Sequence, residues 1–183
     1  LDMTTIGLHS DDVDDFFRPI GSETARVKGG YSMHCYHESL EGAFADHCRR
    51  RGEAPADVLR STDLFALHAP FRNMPEIAMK RLLASHLGLD EAAAHDLLAR
   101  KGLLAAVDAV SRIGNIYSGS LYLTLASLLT DRLREMGRDI VGRRLLLASY
   151  GSGNTMLVLS GIVAPGAPDV IARWDLPRLL AEE

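Results

Sequence analysis

Two short runs of uninterrupted apolar residues constrain the fold of this chain more than any other feature. Leu64–Leu67 reads LFAL, and residues 145–150 read LLLASY. A strand that is covered on both faces of a sheet is apolar at every position, whereas a half-exposed strand alternates. We therefore interpret both runs as buried strands. Residues 155–163 are also apolar and rich in β-formers, and they follow a glycine turn, which predicts an antiparallel partner for the second strand.

Helical patterns surround these strands. Apolar side chains recur at three- and four-residue steps in three segments, residues 31–51, 75–86 and 117–136. Asp90 is expected to cap a further helix that Gly102 interrupts. Alternation of helices with buried strands predicts an α/β fold with helices layered around a mixed sheet, and we expect residues 1–183 to form a single domain.

Two other segments are assigned from local signals. The acidic run Asp11, Asp12, Asp14 and Asp15 precedes two phenylalanines, which predicts a short helix that ends at Pro19. A linker that Pro55 closes is expected after the helix over residues 31–51, and Pro165 and Pro168 mark a loop.

Composition narrows the class of protein. The chain has 183 residues, 47% of them hydrophobic and 24% charged, with a formal net charge of -4. These values are typical of a globular domain and give no basic footprint for nucleic acid. No apolar run reaches the length of a membrane span, and residues 1–10 lack a signal-peptide pattern. The only cysteines, Cys35 and Cys48, suit a reducing compartment, so we expect a cytoplasmic protein.

Three polar stretches are candidates for chemistry. Residues 113–120 (IGNIYSGS) place an amide, a phenol and two hydroxyls beside two glycines. On spacing alone, a helix start capped by Ser118 or Ser120 is the simpler interpretation. His68 directly follows a buried strand, where ligands bind in α/β sheets, but a hydrogen-bonded core histidine is the alternative. Gly151-Ser152-Gly153 matches neither a nucleophile elbow nor a dinucleotide loop, and predicts a hairpin turn.

Metal binding and thiol chemistry are not indicated. His34, Cys35, His37, His47 and Cys48 spread around one predicted helix, and no second ligand pair completes a zinc set. Both cysteines lie on the apparent core face of that helix, where a thiol usually acts as a small apolar group. We therefore assign no metal site and no nucleophilic cysteine.

Several stretches, taken in order, resemble the C-terminal half of hydroxymethylglutaryl-CoA synthases, which belong to the thiolase superfamily. They are residues 12–19 (DVDDFFRP), 31–40 (YSMHCYHESL), 67–74 (LHAPFRNM), 114–125 (GNIYSGSLYLTL) and 149–153 (SYGSG). The resemblance implies a thiolase-like half-fold. It also implies an enzyme that condenses an acetyl group, held on a cysteine, with a β-ketoacyl thioester, without a further cofactor.

The resemblance also implies roles for individual residues. His68 and Asn115 would be the catalytic residues that bind and polarise the acceptor. The substrate pocket would be lined by Pro70, Tyr117, Gly151 and Ser152.

The same resemblance implies that part of the enzyme lies elsewhere. The nucleophilic cysteine and the acid/base glutamate of this family belong to the N-terminal half, so we expect a partner chain that carries them. Only Arg72 and Lys80 lie where coenzyme A-dependent relatives often have lysines, so an acyl carrier protein is an alternative carrier. A non-catalytic scaffold subunit, or a piece of a longer protein, are the other interpretations.

Overall fold

The computed structural model describes residues 1–114 and 116–181, and its centre is a four-stranded mixed sheet. The strands are β1 (Gly7–Ser10), β2 (Leu64–Leu67), β3 (Arg144–Gly151) and β4 (Thr155–Ile162). Their order across the sheet is β1-β4-β3-β2. β2 pairs with β3 in parallel, with Leu64 opposite Leu145, and the other two pairings are antiparallel. The predicted mixed sheet and its terminal antiparallel pair are therefore confirmed.

Eight α-helices accompany the sheet within the described residues. They are α1 (Gly29–Arg51), α2 (Pro55–Ser61), α3 (Asn73–Leu87), α4 (Glu91–Arg100), α5 (Leu103–Ile113), α6 (Gly119–Met136), α7 (Ala167–Ile171) and α8 (Leu176–Ala181). A 3-10 turn at Gly137–Ile140 follows α6. No helix in this part of the chain has both the length and the apolarity needed to cross a membrane.

The two faces of the sheet are buried under different helices. On one face, alternate strand residues such as Phe65, Leu67 and Leu146 pack with the apolar side of α1 and with α3. On the other face, residues such as Leu64 and Leu147 pack with α6. Because successive side chains of a strand point to opposite faces, burial on both sides requires apolar residues at every position. This packing explains the uninterrupted apolar runs.

The α4–α5 boundary forms as its sequence predicts. The side chain of Asp90 accepts a hydrogen bond from the N–H of Ala93 at 2.8 Å, which satisfies one free donor of the first turn of α4. Gly102 separates the two helices with φ of 84°, in the left-handed region. A Cβ atom at this glycine would lie 2.2 Å from a methyl group of Leu128, so α6 also requires a residue without a side chain here.

The predicted helix over the acidic run is wrong. Residues 7–10 instead form β1, and no helix is present between residues 11 and 28. The segment is held by backbone pairing of Asp11 with Asn154, at 3.2 and 2.7 Å, and by a bridge between Phe17 and Arg26. Asp15 does not stabilise the N-terminus of a helix. Its carboxylate is buried and accepts hydrogen bonds from Ser32 and Tyr150.

One helix and two boundaries differ from the sequence-based expectation. Pro55 closes the short linker after α1 as expected, but it also begins α2, which was not predicted, because proline favours the first turn of a helix. The expected loop around residues 165–168 runs into α7. The helix expected from residue 117 begins at Gly119, because Tyr117 has a positive φ of 53° that α-helix does not allow.

Candidate active site

His68 lies at the carboxyl end of β2, and its main chain is fixed on both sides. Its N–H donates to the carbonyl of Ala148 at 2.8 Å, which continues the parallel pairing of β2 with β3. Its own carbonyl accepts the hydroxyl of Tyr36 at 2.7 Å, and Tyr36 is fully buried. The backbone position of this histidine is therefore set by the hydrophobic core.

A cavity of about 780 Å³ opens beside His68. It is lined by Phe16, Arg18, Ala25, His68, Pro70, Tyr117, Ser118, Tyr150, Gly151 and Ser152. Five of the six predicted site residues are therefore brought to one cavity from three segments that are distant in the sequence. The sixth, Asn115, lies outside the described residues, so its role stays a prediction.

The imidazole of His68 is neutral at physiological pH. The residue is 7% exposed, and its burial lowers its pKa from 6.5 to about 4, because burial penalises the charged ring. Its Nδ1 lies 3.2 Å from the hydroxyl oxygen of Ser120, in the first turn of α6. A neutral imidazole carries one N–H donor and one acceptor, which suits it to hold a carbonyl oxygen without adding a charge.

Tyr150 forms the wall next to the histidine. Its ring centroid lies 6.3 Å from that of His68 and 5.0 Å from that of Tyr36. Its hydroxyl donates to the carboxylate of Asp15, which is 2% exposed and also accepts from Ser32. Burial, followed by the contact with Asp15, raises the pKa of Tyr150 well above its ordinary value, so the phenol stays protonated.

Phe16 and Arg18 line the cavity, which no sequence pattern predicted, and Asp15 lies behind it as the acceptor of the Tyr150 hydroxyl. The ring of Phe16 stacks on that of Phe71, with centroids 5.7 Å apart, and its φ is positive, at 51°. The resemblance of residues 12–19 is the signal that points to this segment. The segment supplies an aromatic ring and a cation to the cavity, and a buried carboxylate behind it.

The predicted hairpin turn closes the opposite side of the cavity. Gly151 ends β3 and pairs with Thr155, and Ser152 and Gly153 lie exposed in the turn between β3 and β4. Asn154 anchors the turn to α1 by donating to the hydroxyl of Ser39 at 2.8 Å. This end of the hairpin therefore presents the hydroxyl of Ser152 and the backbone of Gly151 to the cavity.

Cations are scarce at this site. Arg18 is exposed and is the single charged side chain among the described residues that line the cavity. Arg72 is bound by Asp108 at 2.8 Å and by Glu76 at 3.0 Å. Lys80 lies 2.9 Å from Glu76 as well. The two cations that follow the histidine motif are therefore already paired with carboxylates.

Neither cysteine is placed to act as a nucleophile. Cys35 and Cys48 are 5% and 2% exposed, and neither lines the cavity. Burial raises the pKa of both thiols, that of Cys48 to about 11, so neither forms a thiolate near neutral pH. Within residues 1–114 and 116–181, no group of three or more His, Cys, Asp or Glu residues is arranged to hold a metal ion.

Comparison with known proteins identifies a consistent set of relatives. The sequence matches the family described as hydroxymethylglutaryl-coenzyme A synthase C terminal over residues 1–103 and 92–182. The hydroxymethylglutaryl-CoA synthase of Enterococcus faecalis is 34% identical over 85% of this chain and 37% of its own length. The human mitochondrial hydroxymethylglutaryl-CoA synthase is 26% identical over 96% of this chain and 43% of its own length. The chain thus spans about two fifths of these relatives.

Solved structures agree with this assignment. MvaS, solved in complex with 3-hydroxy-3-methylglutaryl coenzyme A, superimposes on all of this chain with a TM-score of 0.82 and 31% identity, over 47% of its own length. The HMG synthase of the curacin biosynthetic pathway, solved in complex with its holo donor-ACP, gives a TM-score of 0.84 and 25% identity. It matches all of this chain and 42% of its own length. The fold is therefore that of one half of a thiolase-like synthase.

Proposed function

The chain belongs to the hydroxymethylglutaryl-CoA synthase family, as its C-terminal-type half, and we propose that it is the acceptor-binding part of a condensing acyltransferase. In this proposal a β-ketoacyl thioester enters the cavity beside His68 and receives an acetyl group held on a partner's cysteine. The observation that carries the proposal is the convergence of His68, Pro70, Tyr117, Gly151 and Ser152 on one cavity.

Neutral His68 supplies the electrostatic part of the chemistry. Condensation at a carbonyl carbon builds negative charge on oxygen, and a fixed N–H donor at that oxygen lowers the barrier. Because β2 and the buried Tyr36 fix the backbone of His68, this donor needs no reorganisation during the reaction. Asn115 is proposed as a second donor to the acceptor, and Ser152 with Gly151 as the wall that positions its acyl chain.

The acyl donor is proposed to lie on another polypeptide segment. Cys35 and Cys48 are buried thiols away from the cavity, so neither is suited to carry an acyl group. A partner, either a separate chain or a segment of a longer protein, would bring the nucleophilic cysteine and the acid/base glutamate. The relatives are more than twice as long as this chain, which supports such a partner.

The carrier of the acceptor is proposed to be an acyl carrier protein rather than coenzyme A. Coenzyme A has three phosphates to neutralise, and a carrier-bound phosphopantetheine arm has one. Arg72 and Lys80 are already neutralised by Glu76 and its neighbours, which leaves Arg18 as the cation that lines the cavity. The curacin synthase structure holds a donor-ACP, which supports carrier proteins as partners of this fold on the donor side, and we extend this to the acceptor.

Reconstitution tests the proposal. The chain is purified with the cysteine-bearing partner, and condensation of acetyl and acetoacetyl thioesters is followed by loss of the acetoacetyl absorbance. His68→Ala and Asn115→Ala are each expected to slow condensation by about 10²–10³-fold, the usual cost of one oxyanion donor. His95→Ala, at an exposed histidine of α4, is the matched control and should leave the rate unchanged.

The same experiment separates the enzyme subunit from a scaffold. If His68→Ala and Asn115→Ala both assemble with the partner and slow condensation less than tenfold, the catalytic roles are wrong and a stabilising subunit is the better description. Comparing acetoacetyl-CoA with an acetoacetyl carrier protein in the same assay identifies the carrier by its ratio of kcat/KM values.

A further inference from the structure

Ser120 connects the histidine to the start of α6. It is the second residue of that helix and is 1% exposed. Its hydroxyl oxygen accepts the N–H of Ala69 at 3.1 Å and lies 3.2 Å from Nδ1 of His68. One buried hydroxyl therefore contacts both the ring of His68 and the backbone of the residue that follows it.

The hydrogen-bonding capacity of this hydroxyl fixes which ring nitrogen carries the proton. A backbone N–H can only donate, so Ser120 uses a lone pair to accept from Ala69. The hydroxyl hydrogen then needs an acceptor of its own. Among the described contacts of Ser120, Nδ1 of His68 is the group that can accept it. The alternative, with Nδ1 as the donor, would leave a buried hydroxyl hydrogen unpaired.

We propose that Ser120 is a positioning residue that holds His68 as the tautomer protonated at Nε2, so that the N–H points away from α6 into the cavity. The catalytic consequence of this tautomer rests on the proposed function: an N–H at Nε2 can donate to the carbonyl oxygen of an acceptor thioester. The opposite tautomer would turn a nitrogen lone pair toward that oxygen and repel it.

The surroundings of the ring favour the same neutral form. Ser120 lies in the first turn of an eighteen-residue helix, whose N-terminus carries a partial positive charge. A positively charged imidazolium beside that end is disfavoured, and the burial of His68 acts in the same direction. The ring therefore keeps one proton, and the contact with Ser120 decides its place.

The tautomer can be read without enzymatic activity. The chain is labelled with 15N in its histidine rings, and long-range proton–nitrogen correlation at pH 7 distinguishes a protonated from an unprotonated ring nitrogen. His68→Gln assigns the resonance. The wild-type ring is expected to show a protonated Nε2 and an unprotonated Nδ1. A wild-type ring protonated at Nδ1 overturns the proposal by itself, whatever any variant does.

Variants test the part played by Ser120. In Ser120→Ala, and in Ser120→Cys, which keeps a similar volume, the His68 signals are expected to shift toward a mixture of both tautomers. Ser120→Thr, which retains the hydroxyl, should keep the wild-type pattern. Ser127→Ala, at a buried serine of the same helix, is the control. A pure Nε2–H ring in folded Ser120→Ala would show that this hydroxyl does not set the tautomer.

Kinetics of the reconstituted complex separate this inference from the proposed function. Ser120→Ala should lower kcat for condensation about tenfold with KM little changed, and Ser120→Thr should restore it. If the tautomer shifts as expected while His68→Ala has no effect on condensation, the contact stands and the proposed function fails. If His68→Ala abolishes condensation but substitutions at Ser120 leave the tautomer unchanged, the function stands and the positioning role fails.

Discussion

Removing the hydroxyl of Tyr150 should destabilise the protein by about 2 kcal/mol. This hydroxyl donates to the buried carboxylate of Asp15, and hydrogen bonds to charged groups contribute about 1.5–3 kcal/mol each. Tyr150→Phe keeps the ring and its contact with Tyr36, whose centroid lies 5.0 Å away, so little packing is lost. The carboxylate retains Ser32 as a donor, which keeps the cost near the middle of that range.

Urea unfolding, followed by far-ultraviolet circular dichroism and by the fluorescence of Trp174, measures this loss. The midpoint should fall while the slope with denaturant stays constant, since the surface exposed on unfolding does not change. Tyr122→Phe is the matched control, because Tyr122 is 72% exposed, and it should change the unfolding free energy by less than about 0.5 kcal/mol.

A double-mutant cycle decides whether the partner is Asp15. Tyr150→Phe and Asp15→Asn should show a coupling energy of about 1 kcal/mol or more, as residues in direct contact do. Additive effects, or a cost of Tyr150→Phe that equals that of Tyr122→Phe, would refute the argument that this buried carboxylate depends on the phenol.

Three further outcomes are expected. Folding lowers the pKa of His68 from 6.5 to about 4, so this ring binds protons equally in the folded and unfolded states above pH 6.5 and favours the unfolded state as the pH falls toward 4, by up to about 3 kcal/mol. In urea titrations at each pH, His68→Gln should remove this part of the dependence and leave the part due to His37 and His47, whose pKa values are also lowered by burial. Gly102→Ala should lower the free energy of unfolding by about 1–3 kcal/mol more than Gly142→Ala does. Both glycines have φ near 84°, but only a Cβ at Gly102 would clash with a leucine side chain of α6. Equal losses would mean that backbone strain explains the whole effect. Arg18→Glu should raise the KM of the acceptor thioester about tenfold with kcat little changed, whereas Arg26→Glu, an exposed cation on the same segment that does not line the cavity, should leave KM as it was.

The central sheet could be predicted because its physical signal is local. β2 and β3 are covered on both faces, so the sequence has to be apolar at every position, and their bounds match the apolar runs to within one residue. The hairpin between β3 and β4 carries its own glycines. Each of these signals lies within a few residues along the chain.

The N-terminal segment could not be predicted in the same way. The carboxylates of residues 11–15 look like the start of a helix until Ser32 and Tyr150 supply donors to Asp15 from distant parts of the chain. Ser120 has the same ambiguity, because a serine in the first turn of a helix normally indicates a cap. Its contacts with His68 and Ala69 become visible only when β2 and α6 are packed together.

The main-chain bonds of His68 determine how the cavity moves. Its amide is hydrogen-bonded to β3, so hydrogen exchange at this amide should require separation of β2 from β3 and be slow. Ser152, by contrast, is exposed in the turn after β3. Turn residues are more mobile than a paired strand, so the cavity can adjust to the acyl chain at this turn while its histidine keeps its place.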